Sequence, residues 1–560
     1  MKRNPTRLLV LALSLLLLCS SAMAAVNTDG LLPFVTEPID VKIAVYPQSA
    51  IVFSEFDKEN YGWIKYLERH SGMNIDWDVY DPATRNETLP LMLAGGEMPD
   101  MIQGLFWTVD DINNYGVIQG LLYPIDELLQ YMPTYSKILE EFPALRATMT
   151  APDGHMYGLP VLGYHNGLYP YRPWINMDWL KNVGMENPTT LDELYNVLKA
   201  FKEMDANGNG DPDDEIPLGG SWSEGYQESQ IVLRAFGFTS SGLGLDYSDG
   251  VENPSIVYTP YAPEYKEYLS YMHKLYTEGL MDPDIFTQDQ LQAEAKMNEG
   301  RVGVYNGNNP NSVILTISNH YDHWWAMNAL TDKPGETPVV GVYDLTEVYA
   351  TNVISADCDP KKAAALAKMC DYYFTPEYYE YHWYGPVLNS EDDPEGKGTY
   401  WDEVIQEYAY AGNTEGISTW TYKINNFCFW VVPGYVSGNK DYELLLAERN
   451  PDSIVGKRIA ATGVWKEWEI PLQDKIVPYH VDDIPPLYLS EDDLETCSLL
   501  RQQLDEQTGM WEAKFITGEL DIESQYGEFV AMLEEYGVKE LEEIQNKAYD
   551  VYKENLANLK

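Results

Sequence analysis

VKIAVY (residues 41–46), NIDWDV (74–79) and MIQG (101–104) are the stretches that decide the fold. Each is a short apolar or alternating run of strand-forming residues, and helix-length segments separate them. One predicted helix covers Tyr61 to Ser71. Another covers Thr88 to Leu93 and stops at Gly95-Gly96. Pro99-Asp100 leads into the third strand, which ends at Trp107. The order β-α-β-α-β is that of a parallel or mixed α/β sheet.

The same style continues downstream. Strand-like segments at Tyr157 to Leu162, Ile216 to Gly219 and Val302 to Tyr305 alternate with predicted helices at Thr190 to Met204, Tyr261 to Glu278 and Pro360 to Tyr373. From Glu491 to Lys560 the pattern is nearly all helical, with acidic solvent faces. No internal repeat interrupts it, so two α/β lobes built from alternating chain segments fit better than beads on a string.

Composition narrows the function. Lys and Arg total 37 against 88 Asp and Glu in 560 residues, a net charge of −51. Such a chain repels phosphate backbones and anionic lipid, so no nucleic acid partner is expected. It is not a disordered acidic protein, because 45% of its residues are apolar. Its 43 Tyr, 15 Trp and 14 Phe combine flat apolar faces with polar tips, which suits surfaces that hold sugars or peptides.

Residues 1–24 read as a signal peptide: Lys2, Arg3 and Arg7, an apolar run from Leu8 to Leu18, then Ala22-Met23-Ala24. Cleavage after Ala24 removes three basic and no acidic residues, leaving a charge of −54. Leu18 precedes Cys19 where a lipobox needs a small residue, so the expectation is a free secreted, cell-surface or periplasmic protein without a lipid anchor. Cys358, Cys370, Cys428 and Cys497 show no zinc spacing; buried thiols are expected, with one disulfide open to an exported chain. His320 and His323 form the one close histidine pair, and packing suits them better than metal. The Walker loop, HExxH, GxSxG and a GxGxxG in a strand-turn-helix setting are all missing.

DANGNGDPDDEIP (205–217) carries the clearest chemistry. Asp205, Asn207 and Asn209 place oxygen side chains at every second residue, Gly208 and Gly210 permit tight turns, and the Asp211 carbonyl falls where calcium loops use backbone. Asp213, Asp214 and Glu215 can complete the shell that Ca2+ takes from hard oxygens. Position 12 is Ile216 rather than Glu, so the predicted site is helix-loop-strand with a structural metal and is not an EF-hand. The alternative is a solvated Asx turn without metal.

Six ordered blocks resemble the family 1 extracellular solute-binding proteins, the binding components of carbohydrate ABC importers, in the subgroup with lipoprotein-type and alginate-oligosaccharide-binding members. They are Leu91 to Met101, Asp178-Trp179-Leu180 with Pro188 to Leu194, Asp214 to Pro217, Leu275 to Pro283, Gly300 to Gly303, and Lys514 to Glu519 followed by Tyr549-Asp550. The resemblance implies a type II periplasmic-binding-protein-like α/β fold, with a ligand cleft between two lobes and a helical C-terminal region. It also implies oligosaccharide capture without catalysis, delivery to a membrane permease, and a monomer. Expected boundaries are residues 25–39 as leader, 40–155 with about 300–375 as the N-terminal lobe, 156–299 with about 376–520 as the C-terminal lobe, and 521–560 as terminal helices. The alternatives are a binding protein for peptides or another polar solute, and a secreted glycan-active enzyme.

In α/β lobes ligands meet the carboxyl ends of strands. The expected ligand residues are therefore Trp107, Tyr164, Asn166, Trp222, Glu224 and Asn306, with Trp383 as a further aromatic. A body of charge −54 favours a neutral oligosaccharide.

Overall fold

The computed structural model describes residues 26–27, 30–47, 61–96, 98–163, 172–222, 228–248, 250, 254–307, 323–342, 350–404, 407–414, 422–423, 426–427, 434–437, 440–463 and 470–559. The expected signal peptide, residues 1–24, lies outside them. The chain forms two compact units: Met1–Tyr164, Leu345–Val464 and Asn555–Lys560 make the first, and His165–Asp344 and Trp465–Glu554 the second.

Following the chain, β1 (Ile39–Val45), β2 (Met73–Val79), β3 (Met101–Trp107) and β4 (Leu159–Gly163) belong to the first unit. The second unit then contributes β5 (Arg172–Asn176), β6 (Ile216–Leu218), β7 (Leu243–Asp246), β8 (Ser255–Tyr258), β9 (Val302–Gly307), β10 (Trp324–Ala326) and β11 (Val340–Val342). The chain returns to the first with β12 (Ala350–Ile354), β13 (Thr399–Asp402), β14 (Glu407–Tyr410) and β15 (Gly434–Ser437), and β16 (His480–Asp482) is again in the second.

The first unit's sheet has the order β15-β4-β12-β3-β1-β2. β1 runs parallel to β2 and β3, and β12 enters antiparallel between β3 and β4. Helices Gly62–His70 and Arg85–Ala94 fill the crossovers close to their predicted places. Pairing of β12 to β3 slips between Ala350, opposite Trp107, and Asn352, opposite Gln103. That leaves three residues of β3 facing one of β12, a bulge in the ladder. Gly104 opens the bulge at φ +91°.

Tyrosine builds much of this unit's core. Trp63 sits among Tyr66, Tyr372, Tyr373, Tyr378 and Tyr381, with ring centroids 4.9 to 6.5 Å away. Helix Pro360–Tyr372, capped by Asp359, is buried on every side from Ala363 onwards.

The second unit's main sheet is β10-β5-β9-β6, with β9 antiparallel to β5 and parallel to β6. Helix Leu191–Glu203 covers it, burying Leu191, Leu194, Val197, Leu198 and Phe201 at helical spacing. Its start is fixed twice: Thr190 Oγ1 accepts from Glu193 N, and Glu193 Oε2 accepts from Thr189 N at 2.8 Å.

The unit boundaries differ from those expected. β9 pairs with β5 and β6, so residues 302–307 belong with the second unit rather than the N-terminal lobe. β15 pairs with β4, which draws residues 434–437 into the first. Helix Ile522–Glu535 is no separate tail: Phe529 stacks on Tyr265 at 6.0 Å within the second core. Strand and helix patterns report local state, whereas these allocations depend on pairings between distant segments.

Cys358, Cys370 and Cys497 are buried free thiols, and Cys428 lies outside the described residues. His323 Nδ1 pairs with Asp178 at 2.6 Å, while His320 lies outside the described residues. Among the described residues no helix is long and apolar enough to cross a membrane.

A Cβ on Gly104 would lie 2.2 Å from the Tyr46 carbonyl oxygen. Gly104→Ala should therefore cost about 3 kcal/mol, a fall in Tm of roughly 5–10 °C by calorimetry. An unchanged Tm would show that the bulge relaxes freely.

Candidate functional site

The carboxyl ends of β1, β2 and β3 share one edge of the first sheet because these strands run parallel. Tyr46 and Tyr80 emerge there and stack at 5.3 Å. Beyond the bulge in β3, Phe106 points outward, 47% exposed, and Trp107 inward, 1% exposed against Tyr115.

The turn that follows is tightly held. Thr108 and Asp111 form a capping box, and Asp111 Oδ2 also accepts from Arg85 at 2.7 Å. Arg85 reaches back to the Phe106 carbonyl at 3.4 Å. Asp110, the remaining carboxylate, is half-buried, and among the described residues nothing donates to it. Burial first, then the Asp111 charge, pushes its carboxyl upward. An aromatic face, a free acceptor and a fixed Arg–carboxylate pair thus share one strand edge. Such a surface can stack a sugar ring and accept its hydroxyls.

The second unit has its own edge, at the carboxyl ends of β6 and β9. Trp222 follows β6 and is partly buried against Phe286 at 4.8 Å; its Nε1–H donates to Glu512 Oε2 at 3.3 Å. Asn306, on β9, is an interior side chain with 0% exposure. Trp383 is half-buried on helix Pro376–Tyr384 of the first unit, with Lys423 Nζ 4.5 Å from its ring centre. Tyr164, Asn166 and Glu224 lie outside the described residues.

Seven predicted metal residues do form a coherent loop. Asn207 Nδ2 and Asn209 Nδ2 donate to the two oxygens of Asp214, each at 2.9 Å. Asp205 Oδ2 accepts from Gly210 N at 3.0 Å, and Asn209 Oδ1 accepts from Asp211 N at 2.7 Å. Asp211 Oδ1 in turn accepts from Asp213 N at 3.2 Å. Gly208 and Gly210 take φ of +74° and +92°, as the turns require.

Asp205 Oδ1 and Glu215 Oε2 are buried without a hydrogen-bond partner. Burial pushes the Glu215 carboxyl up, against backbone donors such as Asn207 N. Two buried acceptors with no donor are what a cation would satisfy. Among the described residues no three carboxylate, imidazole or thiol side chains cluster as a metal site. The donor set is mixed instead, adding amide and backbone oxygens to the carboxylates, as hard cations accept.

No protein-family model matches the chain. The fructooligosaccharide ABC transporter substrate-binding protein FusA of Streptococcus pneumoniae is 27% identical over 98% of both chains. A FusA EF-hand mutant in complex with fructo-nystose superposes with a TM-score of 0.68 and 24% identity, covering 92% of this chain and all of that one. A human-milk-oligosaccharide (HMO)-binding solute-binding protein from Bifidobacterium longum infantis gives 0.67 and 22%, over 92% and 99% of the two chains. The chain has the fold of an ABC-importer solute-binding protein. The resemblance carried by the six sequence blocks holds along its length, and these relatives are binding proteins rather than enzymes.

Sequence reasoning missed Arg85, Phe106, Asp110 and Tyr115. The signal was present in Gly104, a glycine inside a strand pattern, which marks bulges.

One buried acid behind the second edge has a readable proton. Glu228 is 1% exposed, and among the described residues no side-chain donor reaches its carboxyl oxygens. Burial raises it well above the ordinary range, with the Asp282 charge adding. The folded state thus holds a proton that the unfolded chain releases above the usual Glu pKa. This group's stabilising contribution is complete below that pKa and is lost as pH rises. Glu228→Gln should raise Tm at pH 8 by an amount equivalent to about 1–3 kcal/mol and leave it nearly unchanged at pH 4, by thermal unfolding across pH.

Proposed function

We propose that this chain is an extracytoplasmic solute-binding protein that captures an oligosaccharide at the strand ends of its α/β units and delivers it to an ABC-importer permease. The end-to-end match to a fructooligosaccharide-binding relative carries the reading. The first unit's edge supports it, because Phe106 offers a stacking face and Asp110 an acceptor to which none of the described residues donates. No bond is made or broken; the ligand is held by stacking and hydroxyl–carboxylate hydrogen bonds. A neutral sugar suits both the charge of −51 and that free carboxylate, since an anionic sugar would meet Asp110 with like charge. Trp222 and Trp383 are the remaining described ligand candidates, joined by Tyr164, Asn166 and Glu224, whereas Trp107 and Asn306 are interior side chains that offer a ligand no face. The chain acts outside the cytoplasm as a free monomer.

Calorimetric titration with kestose tests the reading. Asp110→Asn keeps the shape and removes the charged acceptor, so it should weaken kestose roughly 10-fold. Kestose binding that is equal in parent and variant would remove Asp110 from the site. Binding of short peptides and of no sugar would favour the polar-solute alternative.

The 205–215 loop is proposed to hold a structural Ca2+. Asp205, Asn207, Asn209, the Asp211 carbonyl and Glu215 would supply oxygens, with Asp213 and Asp214 completing the shell. Its effect would be to pin the start of β6, because Glu215 directly precedes Ile216. Calcium should raise the parent's Tm by several degrees, and Asp205→Ala should abolish that rise. Equal melting of parent and variant, with calcium and with chelator, would refute the site.

A further inference from the structure

We propose that Glu512, far along the chain on helix Glu491–Thr517, is a positioning residue that sets the indole of Trp222 for the ligand. The proposal rests on the oligosaccharide reading and on Trp222 lying at the second strand edge. Trp222 follows β6 by only three residues, and that run is held: Gly219 N donates to the Val304 carbonyl at 3.0 Å, the Gly220 carbonyl accepts from Gln288 Nε2, and Ser221 Oγ donates to the Gln288 carbonyl at 2.9 Å. Trp222 N itself donates to the Ile285 carbonyl at 2.9 Å, which places the residue but leaves its side-chain torsions to other contacts. The ring is then fixed by two contacts: Phe286, inclined at 47° and 4.8 Å away, and the Nε1–H bond to Glu512.

Glu512 is itself immobile. It is 9% exposed, and its Oε1 accepts from Tyr265 Oη at 3.0 Å and Tyr268 Oη at 2.7 Å. Oε2 faces Trp222. Both tyrosines are buried on helix Tyr265–Thr277, so the carboxylate cannot rotate towards the indole or away from it without breaking two interior bonds. A carboxylate held by three neutral donors and no cation accepts only in those directions. The C-terminal helix therefore works as a fixed peg against which one edge of the Trp222 ring is set. A stacking aromatic must hold its plane within roughly 10–20° to be useful, and main-chain bonds alone do not fix the ring's torsions.

The experiment uses full-length protein labelled with 5-fluorotryptophan. The fluorine resonance that disappears in Trp222→Phe belongs to Trp222. Glu512→Ala should shift and broaden that resonance and weaken kestose about 5- to 10-fold. Glu512→Gln, which keeps an acceptor and the volume, should hold the resonance sharp and retain most of the affinity. In the Trp222→Phe background, Glu512→Ala should produce no further loss of kestose affinity, which general damage to the helix would not reproduce. A Trp222 resonance unmoved by Glu512→Ala, or equal affinity losses in both backgrounds, would overturn the proposal. Failure of the parent to bind kestose would count against the oligosaccharide reading, while the fluorine resonance would still decide the role of Glu512.

Discussion

The antiparallel placement of β12 between β3 and β4 is the constraint on which the first unit depends. Without Ala350–Ile354 the six-stranded sheet is two separate pieces, one of β1, β2 and β3 and one of β4 and β15. The chain therefore leaves the unit after β4, builds most of the second unit, and must come back to finish the first. The same strand forces the bulge in β3, since pairing resumes at Trp107 after a slip of register. The bulged strand ends in the exposed Phe106 and the interior Trp107, so core topology and surface chemistry meet at one place.

Local structure was largely legible in the sequence. The strands read at 41–46, 74–79 and 101–104 appear as Ile39–Val45, Met73–Val79 and Met101–Trp107, and the helix read at Thr190 to Met204 appears as Leu191–Glu203. The helical C-terminal stretch is also as read, in three helices from Glu491 to Leu559. These features follow from periodicity and capping, which a short window contains. Allocation of residues 302–344 and 376–464 to units was not legible, because it follows from β9 pairing with β5 and from β15 pairing with β4.

The site was legible in part, for a related reason. Strand ends were correctly located, but which residue at each end is free depends on packing that no window reveals. Trp107 is an interior residue because it shares the face of buried Gln103 and Leu105, and Asn306 because β9 lies within its sheet. The abundance of tyrosine was read as a surface trait, yet Tyr66, Tyr135, Tyr265, Tyr268, Tyr372, Tyr373 and Tyr379 are core residues. The calcium-type loop was easier, because all its oxygens come from one short run.

Those buried tyrosines have a consequence for how the protein meets changing ionic strength. With far fewer cations than carboxylates, the chain uses phenol hydroxyls where other proteins place Lys or Arg. Tyr258 donates to Asp505, and Tyr265 and Tyr268 to Glu512. A hydrogen bond from a neutral donor is not screened by mobile ions as an ion pair is, whereas repulsion among surface carboxylates is. Added salt therefore relieves the molecule's self-repulsion without loosening these internal ties.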